Sequence, residues 1–329
     1  MKLTRRSTLF VAGLTALGLA APAMAEIEAV NLRLAHVVNE QDGFHAAAEK
    51  FRDLVAERSD GKISVEIFPN ATLGDERTLL EGMQIGTVDM GVITNGPVSN
   101  FVEEMAVFEL PFLFPSAEKA YEVLDGPIGQ ELLDRLADVN LKGLAYAERG
   151  FRNLTNSERA VHSPADLDGL RVRVMENPVY IDTFRELGAD AIPMAWTEAL
   201  TAMQQGTIDG QENPVNVVHS FKLNETQTHM TMTRHTYAPA IFVMGMPVWS
   251  RLSEEAQEIV VQAAREAAAH ERALNAEQEA TQMQALRDAG MEIVDDADLS
   301  AFAEAAAPVY EKYGAKFGDY LPRIQDALK

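Results

Sequence analysis

The 329-residue chain has no cysteine. That excludes disulfides, thiol nucleophiles and cysteine-ligated metal centres. It is poor in basic residues, with 28 Lys and Arg against 50 Asp and Glu and a net charge of −22. Such a field repels phosphate backbones and anionic lipid, so nucleic acid and membrane surfaces are poor partners. Enzyme signatures are missing as well. There is no phosphate-binding glycine loop, no Gly-x-Ser-x-Gly elbow and no His-Glu-x-x-His pair. The seven histidines stand at no short metal-ligand spacing. Asp295-Asp296-Ala297-Asp298 lacks the glycine and closing glutamate of a calcium loop and reads as a solvated turn. No metal and no cofactor is expected.

Only one long apolar run exists, at the start. Lys2, Arg5 and Arg6 precede an Ala/Leu-rich stretch over 9–21, and Ala23-Met24-Ala25 supplies a small-x-small cleavage site. Residues 1–25 therefore read as a signal peptide cleaved after Ala25, too short to span a bilayer. The arginine pair faintly matches a twin-arginine export signal. The expected location is the periplasm. A chain that folds there without disulfides must bury a sizeable core, and the remainder is long enough for two domains.

The strongest internal signal is a repeat. Leu80, Met83, Gln84, Gly86, Thr87 and Asp89 recur as Leu200, Met203, Gln204, Gly206, Thr207 and Asp209, always 120 residues on. Each copy reads as a helix end, a glycine stop and an extended segment. Two similar α/β lobes follow, with a ligand-sized cleft between them.

The hydrophobic pattern fits that reading. Strands are expected at 31–36, 62–68 and 88–93, separated by helices at 44–58 and 77–85, an order that gives a mostly parallel sheet. A helical stretch at 117–137 is broken by Gly126-Pro127, and a strand follows at 141–147. The pattern then restarts with a strand at 170–175, helices at 178–187 and 198–205, and the second repeat. From Ser253, a good N-cap with Glu254 and Glu255 behind it, one helix runs to Asp288. Its length of roughly 50 Å exceeds one small lobe. A short strand at 292–294 and a helix at 301–313 complete the pattern. No linker separates the lobes, so they are expected to be interwoven.

Arg152 follows the 141–147 strand, Arg173 lies in the 170–175 strand, and Asn213 comes just after the second repeat. All three read as strand ends, where ligands gather in open α/β sheets. Guanidinium forks match carboxylates at two points, and asparagine adds a neutral donor and acceptor. Arg171 reads instead as a surface ion pair.

Three stretches resemble solute-binding proteins of tripartite ATP-independent periplasmic (TRAP) transporters, typified by C4-dicarboxylate receptors. They are Leu73-Gly74-Asp75-Glu76-Arg77, Gly169-Leu170-Arg171-Val172-Arg173-Val174, and Pro193-Met194-Ala195-Trp196 through Asp209-Gly210-Gln211-Glu212-Asn213-Pro214. The resemblance implies a two-lobe Venus-flytrap α/β fold with a lobe-spanning helix. Lobe I would hold 26–150 and about 239–278, and lobe II 151–238 and about 279–329. It also implies a carboxylate clamp at Arg173, a second anion contact at Arg152, a cleft-lining Asn213 and an aromatic wall at Trp196. His235 and Glu76 would touch the rest of the ligand, Thr94 would stand where some members carry an acid, and Tyr237 is a further wall residue.

The expected function is capture of a small organic acid, a C4-dicarboxylate or a sugar acid such as a uronate, and its delivery to TRAP membrane permease subunits. The alternatives are the binding protein of an ATP-coupled importer, or a periplasmic hydrolase or lyase working in an interdomain cleft.

Overall fold

The computed structural model describes residues 27–329. The signal segment lies outside the described residues. Among the described residues nine strands form one continuous sheet: β1 (Val30–Ala35), β2 (Ile63–Phe68), β3 (Met90–Thr94), β4 (Leu141–Asn156), β5 (Arg171–Val174), β6 (Asp190–Pro193), β7 (Gly210–Asn213), β8 (His229–Gly245) and β9 (Glu292–Val294). Their order is β2-β1-β3-β8-β4-β7-β5-β6, with β9 beside β8. β2, β1 and β3 are parallel at one end, and β6, β5 and β7 are parallel at the other. Each trio is closed by an antiparallel long strand, β8 against β3 and β4 against β7. The halves are thus two copies of one arrangement, and the same two strands run through both.

The 120-residue repeat is a structural repeat. Helices Glu76–Ile85 and Trp196–Gln204 both end at a glycine in left-handed conformation, Gly86 and Gly206. Thr87 N–H then donates to Gly82 O at 2.9 Å, and Thr207 N–H to Ala202 O at 3.0 Å. Asp89 accepts from the backbone and guanidinium of Arg33, and Asp209 accepts likewise from Arg171. Arg171 is the surface pair expected of it.

The strand expected at 141–147 continues to Asn156, and β8, which the pattern did not announce, runs for 17 residues. Pro239 argues against an interior strand because it has no N–H to donate. Here it sits opposite Glu148 where the β4–β8 register slips, with Glu148 facing Pro239 and Gly150 facing Ala238. Arg149 is the extra residue of that bulge, and Gly150 takes the positive φ of 104° that follows it.

Helix Glu254–Asp288 is 35 residues long and starts at Ser253, whose Oγ accepts from Ala256 N–H. It packs on helix Gly43–Arg58 of the first lobe, on β4, and on helix Val215–Ser220 of the second. Alanines 263, 264, 267 and 268 are all buried, which allows that close approach. Beyond it, Phe302 joins the second lobe's core with Leu154, Val172 and Phe184. Arg323, in helix Tyr320–Ala327, pairs with Glu131 of the first lobe. The C-terminal segment therefore touches both lobes. Among the described residues no helix is long and apolar enough to cross a membrane.

Candidate functional site

The ends of β1, β3, β5 and β7 meet between the lobes, together with the starts of two repeat helices and the middle of β4. Two adjoining pockets open there, of about 250 Å³ and about 30 Å³. They share Val37, Glu76, Arg173, Met175 and Trp196. Six residues expected at the site line the smaller one: Arg173, Arg152, Asn213, Trp196, Glu76 and Thr94. They come from both lobes, and only the fold brings them together.

Arg173, 3 % exposed, is held by a carbonyl: Nε and Nη2 donate to Met194 O at 3.0 and 2.7 Å. Among the described residues no carboxylate lies within ion-pair distance of it. Burial lowers its pKa to about 10, against the pull of Glu212. Its guanidinium lies 5.6 Å from the Trp196 ring centre. Trp196 stands edge-on to Phe221, and its buried indole N–H has no partner among the described residues. This is a desolvated cation with room beside it.

Arg152 is equally buried but already engaged. Its Nε and Nη2 grip both oxygens of Glu212, and Nη2 also donates to Glu212 O at 2.5 Å. Burial disfavours its charge, but Glu212 outweighs burial and holds its pKa above the ordinary arginine value. Burial pushes Glu212 up, and Arg152 with His235 brings it below the usual glutamate range.

Asn213 donates to Gln211 Oε1 at 2.5 Å, and Gln211 in turn donates to Thr155 Oγ at 2.7 Å. This chain fixes the end of β7. Glu76 opens its helix behind Asp75, whose side chain caps it, and Glu76 Oε1 accepts from Thr94 N–H at 2.8 Å. Burial raises its pKa.

His235 and Tyr237, expected to touch ligand, do not line either pocket. His235 is buried behind Glu212, with Nε2 3.2 Å from Glu212 Oε2 and Nδ1 2.8 Å from Thr233 Oγ. Burial lowers its pKa, against the pull of Glu212. Tyr237 packs among Phe114, Tyr121 and Phe151.

Arg149, Glu212, Val37, Val38, Met175 and Val217 were missed by sequence reasoning. In a regular strand residues three apart face opposite sides. The bulge at Arg149 lets it line the same pocket as Arg152. Gly150 inside a strand was the available signal for it. Among the described residues no group of three or more potential ligands could hold a metal ion.

Two α/β halves that share β4 and β8, with a buried arginine on the cleft wall that no acid pairs among the described residues, fit the class of binding proteins for small anions. Residues 34–316 match the family described as bacterial extracellular solute-binding protein, family 7. The chain belongs to that family, the solute receptors of TRAP transporters. It is 37 % identical over 88 % of both chains to the 2,3-diketo-L-gulonate-binding periplasmic protein of Escherichia coli. Two solved TRAP solute-binding proteins superpose closely. One, from Bordetella bronchiseptica with density assigned to pantoate, is 40 % identical with a TM-score of 0.88, covering 90 % of this chain and 99 % of that one. The other, from Advenella mimigardefordensis in complex with galactonate, is 32 % identical with a TM-score of 0.89, covering 92 % and 98 %.

Proposed function

We propose that this protein is exported, loses residues 1–25, and captures a small organic acid between its lobes for delivery to a TRAP permease, with no chemistry performed on the ligand. Arg173 clamps the carboxylate. Asn213, Trp196, Glu76 and Thr94 contact the rest of the ligand, and Arg152 lies in the wall behind it. The observation that carries this reading is Arg173 itself, a buried guanidinium on the pocket wall with no acid of its own. A ligand carboxylate would supply the missing partner through charge-assisted hydrogen bonds of roughly 1.5–3 kcal/mol each.

The relatives support the ligand class. Solved neighbours hold galactonate, L-galactonate and D-glucuronate, all hydroxylated acids. A pocket of about 250 Å³ is at the small end of ligand sites and suits a molecule of that size. A C4-dicarboxylate or a sugar acid is the ligand class. Two polar contacts link the lobes near the cleft, Asn39 Nδ2 to Ser220 O at 2.9 Å and Asn177 Nδ2 to Ser99 Oγ at 2.7 Å. They would form and break as the lobes hinge about β4 and β8, with lobe I as 26–150 and about 239–278 and lobe II as most of the remainder.

A thermal-shift panel of organic acids, matched with the neutral sugars, tests the reading. A tight ligand at a hundredfold its Kd adds about 2.7 kcal/mol of stability. Stabilisation by acids and not by neutral sugars is expected. Stabilisation by neutral sugars alone, or turnover of any acid on the panel, would reject it.

A further inference from the structure

Three guanidinium groups face the smaller pocket, from Arg149, Arg152 and Arg173. Two are neutralised within the protein. Arg152 is gripped by Glu212. Arg149, 3 % exposed, places Nη1 3.2 and 2.9 Å from the two oxygens of Asp42, which is 2 % exposed, and its Cζ stands over the Phe44 ring, 3.6 Å from the centroid. One positive charge, on Arg173, is left over.

Against it stands Glu76, which lines both pockets. Thr94 is the hydrogen-bond partner of its carboxylate, and among the described residues no cation lies within ion-pair distance of it. Asp75 and Glu176 line the larger pocket too. The other cation there besides Arg173 is Arg77, exposed and turned to Glu81, with Nε 2.9 Å from its carboxylate. Val37, Val38, Met175 and Val217 add apolar wall and no side-chain donor.

One carboxylate therefore finds an unpaired cation in this cleft, and a second finds acids, hydrocarbon and neutral donors such as Asn213 and the Trp196 indole N–H, but among the described residues no second unpaired cation. Resting on the carboxylate-capture reading above, we propose that the site is a charge filter: it takes hydroxylated monocarboxylates and turns away dicarboxylates, and Glu76 is the residue that discriminates. Its remaining lone pairs accept a ligand hydroxyl, and its charge repels a second carboxylate at the same place. Asp42 and Glu212 are positioning residues that cancel the two arginines which would otherwise welcome a dianion. This narrows the ligand class to the sugar-acid side and sets aside the C4-dicarboxylates.

The test is titration calorimetry on the purified protein with matched acid pairs: D-erythronate and meso-tartrate, threonate and tartrate, galactonate and galactarate, gluconate and glucarate. Within each pair that binds, the monoacid should be at least about thirtyfold tighter, the scale expected of two like charges a few ångströms apart in a partly desolvated site. Glu76→Gln should shrink that ratio at least about fivefold by strengthening the diacid. A diacid binding wild-type protein within threefold of its monoacid would overturn the filter while leaving carboxylate capture intact. An unchanged ratio in Glu76→Gln would overturn the assignment to Glu76. If no acid binds and neutral sugars do, the capture reading itself fails, and the filter with it.

Discussion

Met194 holds the Arg173 guanidinium by its backbone carbonyl, at 3.0 Å from Nε and 2.7 Å from Nη2. A carbonyl fixes the direction of the fork without cancelling its charge. The side chain is thus oriented in advance and electrostatically unsatisfied, and burial lowers its pKa to about 10. Arg173→Met should abolish tight ligand binding, with a loss of about 3 kcal/mol or more, while leaving the unliganded fold as stable or more so. Arg173→Lys keeps a charge but not the fork and should bind poorly as well. Calorimetry and urea unfolding of the ligand-free variants read the two effects separately; full affinity in the lysine variant would reject the two-point clamp.

Arg152 has the opposite profile. Removing it strands Glu212 in a site with no exposure to water. Arg152→Met should destabilise the fold by about 3–5 kcal/mol. Adding Glu212→Leu should return most of that loss, since an apolar pair of similar volume replaces a buried ion pair at little cost. A double-mutant cycle in urea decides; additive losses would show that the two do not depend on each other.

Burial raises the pKa of Glu109 to about 7, where it accepts from Tyr180 O–H across the lobes and from Asn95 N–H within its own. Burial raises Glu148, in the hinge strand, to about 7 as well. An acid whose folded value lies above its unfolded one, about 4.3 for glutamate, adds stability that is full below the unfolded value and lost as pH rises through the folded one. The Tm should therefore fall between pH 5 and pH 8. Glu109→Gln should flatten that slope and raise the Tm at pH 8 relative to wild type. A Tm that climbs across this range would contradict the protonated, buried state of these acids.

Asp89 and Asp209 do the same work in the two lobes. Each accepts a backbone N–H and an arginine fork, and the arginines, Arg33 and Arg171, are partly in solvent. Asp89→Asn and Asp209→Asn should each cost about 1–2 kcal/mol, mostly from the backbone bonds, because exposed ion pairs contribute little. Similar losses in chemical denaturation are expected, and the losses should add, since the sites lie in different lobes.

Much of the architecture is written in local pattern. Ser253 followed by two acids fixes the start of the long helix, and periodic apolar residues carry it to Asp288. The 120-residue identity around Gly86 and Gly206 already implies two lobes, because helix stops and turns depend on neighbours close in sequence. Arg173 and Asn213 could be picked out as strand-end residues for the same reason, whereas Arg152, read the same way, lies inside β4, which runs on to Asn156. β8 could not, because its proline is tolerated only opposite a bulge in a strand some ninety residues earlier.

Charge state was beyond the sequence altogether. Nothing local distinguishes Arg152 from Arg173, yet one meets Glu212, 60 residues away, and the other meets a carbonyl. Arg149 meets Asp42 across 107 residues. Whether a buried cation is spent inside the protein or kept for a ligand is settled by which side chains the folded backbone brings within about 4 Å, where Coulomb energies in a desolvated site are largest. Sequence determined two lobes, a long brace and the candidate arginines; tertiary structure decided which arginine was left unpaired.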